Sequence, residues 1–125
     1  MPLPSRDQRG LSESIQLAVV WPVLLLVTLG IIQAGIWLHA RNVAERAAAA
    51  VVDVARGTDG SSGAAAELGE DLARAGGLTG VTVTVVRGPA QVSARVSGDA
   101  PLMLDLGLGK ISETAAAPLE RVTAP

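Results

Sequence analysis

Chemistry at a protein site needs a nucleophile, an acid–base group or a set of metal ligands, and this sequence is poor in all three. It contains no cysteine and one histidine, so neither a thiolate, a disulfide nor a Cys/His metal centre is available. His39 stands beside Arg41 at the end of an apolar run, with no second ligand candidate nearby, and reads as an interfacial residue. Glu67, Glu70 and Asp71 lie outside the apolar stripe of a short helical segment and read as its solvated face. Asp99 and Asp105 share a loop region with Lys110, a combination found in most domains. A Ser/His/Asp arrangement would require His39 to leave the membrane exit. No glycine-rich loop sits between a strand and a helix to cradle phosphate. The net charge is −2 with no basic block, which argues against nucleic acid as a partner. The reading is a non-enzyme with no catalytic, cofactor-binding or metal-binding residues and no small-molecule substrate.

The chemistry that remains is that of the lipid bilayer. From Leu17 to Leu38 no residue is charged, and Thr28 and Gln33 are the polar exceptions beyond small residues. About 22 residues at roughly 1.5 Å each are enough to cross a hydrocarbon core near 30 Å. A secretory signal's apolar region is shorter, about 7–15 residues. Trp21 and Trp37, the only aromatics in the chain, are separated by roughly 24 Å of helix, the placement of interfacial anchors. Pro22 falls in the first turns of the span, where a membrane helix tolerates it with a kink. Gly30 and Ala34 form a small-xxx-small pair with Gln33 beside them, a candidate helix-packing site. Charge does not orient the span: Arg6 and Arg9 precede it, and Arg41 and Arg46 follow it.

These residues must be held by a small set of elements. The expected architecture is α+β. Residues 1–12 form a leader-like segment, and 13–56 a transmembrane helix extended beyond the lipid by the alanine-rich "ARNVAERAAAAVVDVAR". Val43, Ala47, Ala50 and Val51 share a stripe on that extension. Residues 57–63, "GTDGSSG", form a linker, and 64–125 a small module. The module opens with a short helix whose stripe is Ala65, Leu68, Leu72 and Ala75, with a Glu70–Arg74 pair at i,i+4 and a stop at Gly76-Gly77. Strands follow in which Val81, Val83 and Val85, then Val92, Ala94 and Val96, alternate with polar residues around "RGPA". A crossing loop carries apolar anchors at Leu102, Leu104, Leu106 and Leu108. A third strand places Ile111, Glu113 and Ala115 on one face, with Pro118 at its edge end. The short helix packs on a 2–4-stranded antiparallel sheet. With no Phe, Tyr or Trp, this module of about 62 residues has a small core and must lean on the long helix or on a partner subunit.

The stretch 9–56, from "RGLSESIQLAVVWPVLLLVTLGIIQAG" through "AAAAVVDVAR", with "SGDAP" and "ISETAAAPLERV" later, resembles the TadE-like family, pseudopilin-like components of the Tad/Flp pilus assembly and secretion machinery. The resemblance implies a pilin-like fold and a cytoplasmic-membrane, single-pass protein with its N-terminus inside and its module extracytoplasmic. It also implies other pilin-like subunits and Tad assembly-platform proteins as partners, and processing by a prepilin peptidase. Gly10 would be the residue before the cut and Leu11 the first mature residue. The family's glutamate belongs at the fifth mature position. Here Ile15 occupies it, while Glu13 stands third and Gln16 sixth. The resemblance assigns a role as a minor, non-catalytic subunit in assembly, secretion or adhesion. Two other readings stand beside it: a single-pass anchored binding or regulatory subunit unrelated to pili, and a secreted module cut after Ala40.

Overall fold

The computed structural model describes residues 8–57, 61–104 and 107–119. The leader residues 1–7 with Arg6, residues 58–60 of the linker, Asp105, Leu106 and the chain from 120 onward lie outside the described residues, as does the side chain of Arg9. Five elements follow one another: helices α1 (Gln8–Ala55) and α2 (Ser62–Ala75), then strands β1 (Thr79–Arg87), β2 (Gln91–Asp99) and β3 (Lys110–Pro118). The α+β expectation is met by a three-stranded antiparallel sheet in the order β1-β2-β3. By contact density the chain divides into two units, residues 1–34 and 35–125.

In the first unit, α1 begins at Gln8, five residues before the expected start at Glu13, and the helix continues through Pro22. Ser14 Oγ donates to the Gly10 carbonyl at 2.9 Å, and Thr28 Oγ1 donates to the Leu24 carbonyl at 2.8 Å. These bonds satisfy both hydroxyls within the helix itself, as an apolar surrounding requires. Every residue from Gly10 to Thr28 is exposed. From Leu11 to Val27 the large apolar side chains all face outward, and the helix is long and apolar enough to cross a membrane.

The second unit starts inside the same helix. Ala40, Ala44, Ala47, Ala48, Val51, Val52 and Ala55 are buried at i, i+4, i+7, i+8, i+11, i+12 and i+15, one face of an α-helix. They meet the inner face of the sheet in two clusters. Ala40, Ala44, Ala47 and Ala48 join Ala73, Leu78, Val96, Ala100 and Ile111. Val51, Val52 and Ala55 join Ala65, Val92 and Ala94. The clusters fix direction: β2 runs opposite to this part of α1, and β3 runs with it. The β2–β3 connection therefore lies at the Ala40 end, and the β1–β2 turn lies near Ala55, where Arg87 Nη2 reaches the Gly57 carbonyl at 3.5 Å.

The register gives the sheet its two faces. β1 and β2 pair as Thr82↔Ser97 through Arg87↔Val92, and β2 and β3 as Gln91↔Pro118 through Asp99↔Lys110. Between Thr79 and Thr82 one extra residue enters β1. Gly80 sits there at φ +59°, the left-handed conformation that a glycine bulge needs. Val81, Val83 and Val85 face inward, as the alternation indicates. Pro118 ends β3, an edge strand, where its missing N–H costs no ladder bond.

Two expectations are corrected. The stripe Ala65, Leu68, Leu72, Ala75 is not the buried face of α2. Ala65, Gly69 and Ala73 are buried, while Leu72 is 41% exposed and Ala75 is exposed. The reason is close approach: a Cβ on Gly69 would collide with Val51 Cγ2, and one on Gly76 with the Val43 methyls. Leucine does not fit at that separation, so the smallest residues line the contact. The crossing loop is anchored less fully than its four leucines suggest: Leu102 is half-buried, whereas Leu104 and Leu108 are exposed.

Candidate functional site

Among the described residues, the acids, the histidine and the lysine singled out in the sequence are not brought together into a catalytic constellation. Among the described residues no three His, Asp or Glu side chains gather as metal ligands. His39, Glu67, Asp71, Asp99 and Lys110 are exposed. Glu70 and Arg74 form the expected pair, at 3.4 Å. Asp99 and Lys110 stand opposite each other at the end of the β2–β3 ladder that the connecting loop closes.

The charged feature with the most structure around it is one the sequence reading did not assemble. Glu113 lies on the inner face of β3, between Ile111 and Ala115, and Arg41 leaves α1 toward it. Arg41 Nε donates to Glu113 Oε1 at 2.9 Å, with side-chain exposures of 47% and 21%. The guanidinium carbon also sits 5.8 Å from the centroid of the Trp37 ring, within cation–π range. A carboxylate on an apolar sheet face loses hydration and needs a partner. That requirement was the signal in the sequence: Glu113 breaks the apolar alternation of its strand.

Trp37 is half-buried and packs against the first core cluster, while Trp21 is 60% exposed. Gly30 and Ala34 are exposed, and a Cβ on Gly30 would meet nothing within 4 Å. Gln33 is half-buried. Gly10, Leu11 and Glu13 are exposed on the first turns of α1. The Gly10–Leu11 bond is helical, and its carbonyl is the one that accepts from Ser14 Oγ. A peptidase working at that bond has to unwind this first turn, which a helix end permits at low cost.

The outer face of the sheet is polar. Thr84, Val86, Ser93, Arg95 and Thr114 line a shallow depression, in which Arg95 Nε lies 3.4 Å from Thr114 Oγ1.

A long, lipid-compatible helix whose distal half is built into a small α+β module defines a layout suited to single-pass anchoring. Residues 12–53 match the family model described as TadE-like protein, the family that the sequence resembles. The matched segment lies wholly within α1 and takes in most of its core-facing residues. The TadE-like family is a structural component associated with the Tad pilus machinery. No curated protein and no solved structure matches the chain.

Proposed function

We propose that this protein is a minor, pseudopilin-like membrane subunit that assists assembly of a Tad/Flp-type pilus or secretion apparatus. The observation carrying this reading is the TadE-like match over residues 12–53, on a helix long and apolar enough to cross a membrane. In this reading the helix spans the cytoplasmic membrane once, with the N-terminus inside and the module outside. Trp21 and Trp37 mark the two interfaces. Gly30, Gln33 and Ala34 offer a close-approach face to another pilin-type helix, where small residues let backbones come near and the amide bonds across the contact. Other pilin-like subunits and the Tad assembly platform are the partners.

Deleting the gene in its own host and counting surface pili tests the role. Loss of pili, restored by the wild-type chain, is expected; unchanged piliation sinks it. Intact-mass analysis of the membrane-extracted protein tests processing. A chain beginning at Leu11 supports the cut at Gly10, and one beginning at Met1 or Pro2 removes it.

A further inference from the structure

Beyond residue 38, the large apolar side chains that are more than half exposed among the described residues are Val86, Met103, Leu104 and Leu108. Three of these four belong to the β2–β3 connection. Their location follows from the core. Ala100, at the start of this connection, shares a cluster with Ala40 and Trp37, and Leu102 packs on the same cluster. Glu113 is level with Arg41 through their ion pair. From Glu113 back to Lys110, β3 descends roughly 10 Å, or about five to seven residues of helix. The strand thus begins near the level of Gly35, in the last turn of the apolar run and at the start of this same unit. The exposed side chains of the loop therefore sit beside the helix turn at which the lipid must end, and not at the far end of the module.

We infer that Met103, Leu104 and Leu108 form a second membrane contact, seating the module directly on the bilayer at the level of Trp37. The inference rests on the anchoring read for α1. The occupant is lipid and not protein because the patch lies at the level of the last turn of the anchor, where Gly35 and Leu38 are exposed and Ile36 and Trp37 half-buried. Asp99 and Lys110 at the base of the loop carry opposite charges, so apolar contact rather than attraction to anionic headgroups holds it. Neutral lipid therefore suffices.

The absence of cysteine makes the test clean. Full-length M103C, L108C, T84C and L25C variants are labelled with an environment-sensitive fluorophore and reconstituted in phosphatidylcholine vesicles carrying shallow or deep nitroxide lipids. All four native side chains are exposed, so the fold tolerates the labels. Probes at 103 and 108 are expected to emit at shorter wavelength and to lose intensity to the shallow quencher. The probe at 84, on the outer sheet face, is unaffected, and the one at 25 is quenched by the deep lipid. If 103 and 108 behave like 84 while 25 is quenched, the second contact is overturned and the anchor stands. A blue shift at 103 without lipid quenching means that protein covers the loop, which also overturns it. An unquenched probe at 25 removes the anchor and this inference with it.

Discussion

Single residues set the distances in this protein. Gly76 has an ordinary φ of −81°, so alanine is allowed there by the backbone and opposed first by the Val43 side chain. Gly76→Ala is expected to cost about 1–3 kcal/mol through overpacking, seen as a drop of several degrees in the thermal midpoint followed by circular dichroism. Val43→Ala in the same chain should recover most of the loss, a coupling that a double-mutant cycle isolates. Gly30→Ala, with nothing within 4 Å of the new methyl, should leave the midpoint unchanged. The Arg41–Glu113 pair behaves differently because both groups keep some water. Arg41→Leu strands a carboxylate on the sheet's inner face and should destabilise by about 1–2 kcal/mol. Adding Glu113→Leu should return stability to near wild type or above, since the apolar pair suits that face. Equal melts for R41L and the double variant would show that Glu113 needs no partner.

Among the elements, α1 is the one whose role the sequence disclosed least. Its helical extent was legible from the alanines and the lack of breakers, and the strands were legible from Val/Thr alternation. The inward side of β3 was also readable, from Ile111, Glu113 and Ala115. Alanine, however, is neutral about burial. "RAAAAVVDVAR" states that a helix exists without stating which face is dry, and Ala40, Ala44 and Ala48 join the core through tertiary contact alone. The same ambiguity misdirected the α2 stripe, where leucines drew attention from the Ala65-Gly69-Ala73 ridge. That spacing of four was present in the sequence and has meaning only when a partner helix is known to lie close. The pair formed by Arg41 and Glu113 joins residues 72 positions apart, beyond the reach of local pattern. The element-level prediction follows from the two clusters. Residues 57–125 without α1 would open Val92, Ala94 and Val96, each no more than 1% exposed in the full chain. Such a fragment should show no cooperative melt above room temperature, whereas residues 35–125 in mild detergent should melt cooperatively. A sharp transition in the shorter fragment would count against the helix as a structural wall of the module.

For the molecule as a whole, sidedness is the property that the proposed role depends on most. Charge near the span is balanced between Arg6 and Arg9 on one side and Arg41 and Arg46 on the other, so sequence alone gives no orientation. The T84C variant provides a direct measure in cells. A membrane-impermeant maleimide should label it in intact spheroplasts to the same extent as after lysis. Labelling only after lysis would put the module in the cytoplasm and end the pseudopilin reading, while leaving the fold as described.

The largest fully buried side chains here are Val51, Val92 and Val96, and most of their neighbours are alanine or glycine. Such an interior has little volume to lose and almost none to gain. Its tolerance to mutation is therefore directional. Trimming a valine to alanine removes only two methyl groups, whereas enlarging Ala44, Ala47, Ala48, Ala65, Gly69 or Ala73 has nowhere to put the added atoms. Over generations the small residues facing inward would be held in place by their smallness, while the bulky apolar residues facing lipid drift freely among one another. That inverts the pattern of an ordinary soluble core, in which the large side chains are the fixed ones.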